Sequence, residues 1–259
     1  MHQNPTQTTI AALLITAGIC VAQPPGITRE MIERSLPLEG APLAVPGPYK
    51  VTSEAAFGSP GLLVFRPEGV PRGDTLPVMA WGNGGCAIEG KRYAGFLTTI
   101  ASHGFLVLTT TAVEGAKNRQ ENADDLRAAI DWAGKENARA GSPLEGRIAL
   151  DKVAVMGQSC GGFLSIALGA DPRVKTIGVF NSGVQKSPSP YPTADALPKL
   201  HGPVLLINGH EPDFMWKTSE ETFDLINNQP AFYGARHNAD HTATVFHPGG
   251  GEFANVASN

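Results

Sequence analysis

The stretch that decides the fold is Lys152–Ala170, KVAVMGQSCGGFLSIALGA. KVAVM is a short apolar run rich in β-branched residues and reads as a buried strand, and GGFLSIALGA reads as a helix built on small residues. Between them Gly157-Gln158-Ser159-Cys160-Gly161 matches G-x-S-x-G, the tight strand-to-helix turn that lifts a serine above the C-terminal edge of a sheet. The glycines are required because the serine backbone is strained and a flanking side chain would meet the neighbouring strand or helix. In a chain rich in Gly and Ser the bare pattern is weak, and the strand before it and the helix after it give it meaning. The alternative is a Gly-rich βα turn whose serine only caps the helix.

Outward from this turn the pattern alternates. Strands are expected at Lys50–Phe57 and Leu62–Arg66, joined by GSPG, then at Leu76–Trp81, Phe105–Thr110, Lys152–Met156, Thr176–Phe180, Val204–Asn208 and Ala231–Ala235. Helices are expected at Tyr93–Ser102, Asn122–Lys135, Gly162–Leu168 and Glu220–Asn227. Strands that alternate with helices pair in parallel through right-handed crossovers, so the fold is a three-layer α/β sandwich with a mostly parallel central sheet. The 259 residues, 42% hydrophobic and 17% charged, suit one such domain and exclude disorder, collagen and coiled coil. Lys+Arg 20 against Asp+Glu 24 gives a net charge of −4, which argues against nucleic acid as a partner.

Thr9–Ala22, TIAALLITAGICVA, is uncharged, ends in small residues, and falls short of a membrane span of about 20 residues. It reads as a secretory signal peptide over residues 1–22, leaving residues 23–259 as one domain without a large cap. The n-region has no Lys or Arg, and a buried N-terminal helix is the alternative. Export would remove Cys20 and leave Cys86 and Cys160, for which a disulfide becomes chemically accessible.

A serine that attacks a carbonyl needs two N–H donors aimed at the developing oxyanion. One is the amide after the nucleophile, Cys160. The other belongs on the loop after an earlier strand, where Gly82-Asn83-Gly84-Gly85-Cys86 follows LPVMAW, and Gly84 or Gly85 is favoured over Asn83. An orienting acid and a base should follow the nucleophile in that order. Asp213, just beyond VLLING, is the preferred acid, with Glu211 as fallback. His237, His241 and His247 follow the last strand, and His241 lies clear of it in the polar stretch NADHTAT. A rival reading makes His237, Asp240, His241 and His247, with Asp213, metal ligands, but H-x3-H is informative only on a helix and this stretch has loop composition. No metal or cofactor is implied. His103 and His201 read as structural.

With these residues in place the chain resembles the α/β-hydrolase superfamily. It is similar to a group of secreted microbial esterase-like proteins carrying GNGGC, GQSCGG, a G-x-x-x-D acid turn and H-G-G-T-Y-x-x-P-N-G-G-x-F around the histidine. Here these stand as Gly82–Cys86, Gly157–Gly162, Gly209–Asp213 and His241–Phe253. The register of Thr244, Pro248, Gly250, Gly251 and Phe253 selects His241 as base. Thr242-Ala243 replaces the usual Gly pair, and the chain stops eight residues after Gly251, where the family continues into a long helix, so a shortened last helix is expected. If the two loops aim amides at one oxygen, their backbones run close enough for Cys86 and Cys160 to be disulfide-bonded; two buried thiols are the alternative.

The resemblance implies a serine ester hydrolase that works through Ser159, Asp213, His241 and an acyl-enzyme. Tyr93, Phe214, Trp216 and Phe246 are candidates for an apolar substrate wall, or else plain core packing. The segment Asn181–Gly202 is too short for a folded cap, which leaves the site open to small or polymeric esters. A polyester depolymerase or amidase with the same triad, and a ligand-binding protein without catalysis, are the alternatives. A thiol-redox role has no C-x-x-C to support it.

Overall fold

The computed structural model describes residues 46–236 and 239–246. The expected signal segment and shortened last helix lie outside the described residues. The strands are β1 (Val51–Ala56), β2 (Ser59–Pro67), β3 (Leu76–Gly82), β4 (Leu106–Thr110), β5 (Ile148–Gln158), β6 (Val174–Phe180), β7 (Val204–Gly209) and β8 (Ala231–Arg236). They form a single sheet in the order β1-β2-β4-β3-β5-β6-β7-β8. β1 and β2 pair antiparallel with their neighbours, and every pairing from β4 to β8 is parallel. The helices are α1 (Ala94–Ser102), α2 (Ala123–Ala138), α3 (Cys160–Leu168), α4 (Trp216–Leu225) and the short α5 (Ala243–Phe246). This is the mostly parallel α/β-hydrolase sandwich.

The period-two side-chain alternation of a strand sorts the central residues onto two cores. Val78 and Ala80 of β3, Leu106 and Leu108 of β4, and Val153 and Val155 of β5 join one cluster, under α2 and α3. Met79, Trp81, Val107 and Met156 point the other way, toward α1. There Trp81 is ringed by Tyr93, Phe96 and Phe180, with centroid separations of 5.2, 4.9 and 5.7 Å. Each such fully buried ring contributes roughly 1.5–3 kcal/mol of transfer free energy.

Three elements depart from the sequence reading. β5 begins at Ile148 rather than Lys152, because Ile148 and Ala149 pair with Leu76 and Pro77 of β3 ahead of a register shift. β2 begins at Ser59, because Gly58 alone takes a left-handed conformation (φ 69°) and closes the hairpin, so most of GSPG belongs to the strand. α4 begins at Trp216 rather than Glu220 because Asp213 nucleates it: its Oδ1 accepts from Met215 N–H (3.0 Å) and its carbonyl from Trp216 N–H (3.0 Å). The buried face of α4 carries Ser219 and Thr222, so no apolar stripe announces its first turn.

The C-terminal ends of the parallel strands form one edge, where ligand sites of open α/β sheets belong. β3 and β5 meet α3 there through glycine. A Cβ on Gly161 would sit 1.9 Å from the Gly82 carbonyl oxygen, and one on Gly157 would sit 2.3 Å from the Gly161 carbonyl oxygen. Both obstacles are backbone and cannot swing aside. By contrast Gly134, inside α2, has nothing within 4 Å of its would-be Cβ. In urea unfolding Gly161→Ala should lose about 3 kcal/mol or more, whereas Gly134→Ala should gain about 0.5–1 kcal/mol by removing a mid-helix glycine.

Candidate active site

Ser159 sits between the end of β5 and the start of α3 with φ 54° and ψ −117°, a conformation that non-glycine residues rarely adopt. Its own N–H is fixed to the Phe180 carbonyl (2.8 Å), and Gly162 and Phe163 return their N–H groups to the Ser159 carbonyl (2.9 and 3.4 Å). The amide of Cys160, first residue of α3, lies ahead of these bonds at the positive end of the helix. The next glycine is needed for packing, since a Cβ on Gly162 would meet Ser182 Cβ at 2.4 Å.

Asp213 and His241 are brought together. His241 Nδ1 lies 2.7 Å from Asp213 Oδ1, and both residues are buried. An N–H at Nδ1 facing the carboxylate leaves Nε2 as the acceptor nitrogen. That nitrogen is buried and has no hydrogen-bond partner among the described residues. Asp213 is held in turn: Asn181 Nδ2 (2.8 Å) and Gly209 N–H (3.2 Å) donate to Oδ2, and Met215 N–H donates to Oδ1. Asn181, directly after β6 at φ 49°, accepts from the Thr244 hydroxyl. The acid, the turn after β6 and the segment carrying His241 are thus one network. Gly209 lets the acid turn lie against that segment, since a Cβ there would meet the Ala239 carbonyl at 2.2 Å. Glu211, the fallback acid, is exposed.

The Gly82–Cys86 loop is anchored residue by residue, and this corrects two expectations. Asn83 N–H donates to Glu121 Oε2 (2.6 Å), and Gly84 N–H donates to the Tyr93 hydroxyl (2.7 Å). Gly84, expected as an oxyanion donor, therefore has its N–H engaged. Gly85, exposed and at φ 65°, is the next amide along, and among the described residues no partner outside its own turn claims it. Tyr93, expected in a substrate wall, is instead buried, and burial pushes its hydroxyl above the ordinary tyrosine range. Its hydroxyl donates to Gln158 Oε1 (3.0 Å), while Gln158 Nε2 donates to the His241 carbonyl (2.9 Å). Gly84, Tyr93, Gln158 and His241 thus form a chain of hydrogen bonds from the Gly82–Cys86 loop to the histidine segment. The sequence gives no period or motif for such a relay; only the adjacency of Gln158 to Ser159 hints at it.

Cys86 and Cys160 form a disulfide, with Cα atoms 5.2 Å apart. It ties the Gly-rich loop to the first residue of α3. The half-buried Phe214 ring stacks on His241 (3.9 Å between centroids, 32° between planes), and Trp216 lies against His210 at 4.7 Å. The Phe246 side chain lies outside what is described, as do His237 and His247. Among the described residues no group of three or more His, Cys, Asp and Glu is arranged to hold a metal ion. Asp240, from the rival metal set, accepts from the N–H (2.8 Å) and hydroxyl (3.0 Å) of Thr242 and so supports the turn into α5. No helix among the described residues is long and apolar enough to cross a membrane.

A family model described as "PETase: PET hydrolase-like" matches residues 44–249. No curated protein matches the chain.

The disulfide closes a long loop, with the two cysteines 74 positions apart in the chain. Replacing both with serine should lower stability by about 2–4 kcal/mol, chiefly by freeing the unfolded chain. Denaturant unfolding reads this loss directly. Thiol titration of the unfolded, unreduced protein should detect no thiol from Cys86 or Cys160.

Proposed function

Because the chain belongs to the PET hydrolase-like family, of the α/β-hydrolase superfamily, we propose that it is a secreted serine ester hydrolase with Ser159, His241 and Asp213 as its triad. One observation carries this reading: His241 is bonded to Asp213 through Nδ1 and keeps Nε2 buried without a partner. A general base needs that arrangement, and a histidine that served packing alone would gain by satisfying both nitrogens.

The reaction follows from the roles these groups can take. Ser159 Oγ attacks the ester carbonyl carbon while His241 Nε2 takes its proton. The carbonyl oxygen becomes an oxyanion and receives the N–H groups of Cys160 and Gly85, held in mutual register by the disulfide. Collapse of this intermediate breaks the C–O bond. His241 gives its proton to the leaving alkoxide, and the acyl group stays on Ser159. Water then attacks the acyl-enzyme, losing its proton to His241, and the second collapse returns that proton to Ser159 Oγ and frees the acid. Asp213 fixes the imidazole tautomer throughout and stabilises the imidazolium. Phe214 and Trp216 would form part of the apolar wall beside the scissile bond, joined by Phe246.

The family favours a polymeric ester, a polyester depolymerase, as the more specific form of this reading over a small-molecule carboxylesterase or an amidase. Export is supported by the apolar Thr9–Ala22 segment and by the disulfide, a bond that persists in oxidising compartments.

Turnover of short-chain p-nitrophenyl esters tests the reading. The wild type should be active, and Ser159→Ala or Asp213→Asn should lose about a thousandfold or more in kcat. An inactive wild type, or equal rates in wild type and Ser159→Ala, would defeat it. Release of soluble acid from a polyester film, measured beside the small esters, separates the polymer reading from the general one.

A further inference from the structure

We propose that Glu121 is a positioning residue for the oxyanion loop: it grips Asn83 through its side chain and Cys86 through its backbone, and so aims the Gly85 N–H between them. The inference rests on the serine-hydrolase reading above and adds a residue to it.

Glu121 is 2% exposed, although it lies at the end of the exposed segment Ala112–Gln120. Asn122, the next residue, is the N-cap of α2, with a reciprocal capping box to Asp125, so the helix fixes where Glu121 stands. From there Oε2 accepts the Asn83 N–H at 2.6 Å, and Oε1 pairs with the Thr110 hydroxyl at 2.7 Å and with Asn83 Nδ2 at 3.3 Å. Its own N–H donates to the Cys86 carbonyl at 2.8 Å. The loop from Asn83 to Cys86 is therefore held at both ends by one residue. Asn83 is fully buried and is further fixed by Thr109 and Thr110. Gly84 is pinned from the other side by Tyr93.

A buried carboxyl group without a cation beside it favours the protonated form. Among the described residues Glu121 forms no ion pair. Arg119, the nearest cation to act on it, gives its two terminal guanidinium nitrogens to the two oxygens of Asp125. The nearby Asp125 carboxylate disfavours a second negative charge. Burial pushes Glu121 up to about 8, against the lowering effects of Asn83, Thr110 and Arg119. The folded state therefore holds the proton from about pH 4.5 to about 8, where the unfolded chain has lost it. In that window the acid grips the loop without placing a charge beside it. Above it, a carboxylate appears next to the site where negative charge must develop on the substrate, which raises the barrier.

The test uses Glu121→Gln, a neutral shape mimic, and Glu121→Leu, which removes the grip, with Thr110→Val as a milder loss. Initial rates on a p-nitrophenyl ester are measured from about pH 6 to about pH 9, with near-UV circular dichroism to report folding. Glu121→Gln should keep kcat within about twofold at neutral pH and lack the wild-type fall in kcat above pH 8. Glu121→Leu should lose roughly tenfold or more in kcat with KM nearly unchanged, and Thr110→Val a smaller share of that. A folded Leu variant with wild-type kcat, a loss confined to KM, or a Gln variant that keeps the alkaline fall would overturn the proposal. If the Leu variant does not fold, an unchanged kcat in Thr110→Val overturns it instead. An inactive wild type would overturn the hydrolase reading itself, which is a different outcome from an active enzyme indifferent to Glu121.

Discussion

The approach of three backbones at the edge of the sheet is the constraint on which the site depends. Gly82 at the end of β3, Gly157 near the end of β5 and Gly161 in the first turn of α3 lie so close that a single added methyl group would overlap a carbonyl oxygen. With α3 pressed this near to the sheet, Ser159 has to turn through a left-handed conformation to connect them. The same approach brings the loop after β3 beside the first residue of α3, and the Cys86–Cys160 disulfide spans the remaining gap. The strained Ser159 turn, the helix N-terminus and the placement of the Gly-rich loop are thus consequences of one packing event.

Beyond that contact the loops are held by polar groups rather than by apolar packing. The two hydrophobic clusters fill the faces of the sheet and reach its C-terminal edge at Cys86, Cys160, Phe180, Met215 and Val245, and among them Asn83, Gln158, Asn181, Asp213 and Thr244 are buried as well. A neutral hydrogen bond contributes only about 1 kcal/mol net, yet leaving one of these groups unpaired in a buried place costs about 1–3 kcal/mol. The asymmetry matters more than the sum. Each side chain specifies its partner because alternatives leave an orphan, and apolar packing, which tolerates substitutions of similar volume, could not aim an N–H group so closely.

This division explains what the sequence disclosed. The strands of both cores were legible because burial by apolar side chains follows a period, and the G-x-S-x-G turn was legible because close approach demands glycine. Order and register point to Asp213 and His241, which the fold brings into contact, and the Thr244 of that register bonds Asn181, the residue that holds Asp213. What escaped was polar and non-local. Tyr93 reads as wall or core alike because an aromatic side chain says nothing of where its hydroxyl goes, and the start of α4 is hidden because Ser219 and Thr222 replace the apolar stripe. Gly84 and Gly85 could not be told apart without seeing that one of them is already bonded.

Two buried acids at the same edge show how environment divides labour between like groups. Asp213 faces a histidine and receives three further N–H donors from Asn181, Gly209 and Met215, which fix the orientation of both its oxygens. Glu121 faces a backbone amide, a hydroxyl and a side-chain amide, with Asp125 nearby and Arg119 paired to Asp125, and its burial favours the neutral acid. In the proposed reaction the first acid orients the histidine, and the second holds the loop that would receive negative charge. In the proposed reaction a charge on Glu121 would oppose the oxyanion beside its loop, so that loop gains by being held by a neutral acid, whereas Asp213 serves through the donors that aim it at His241.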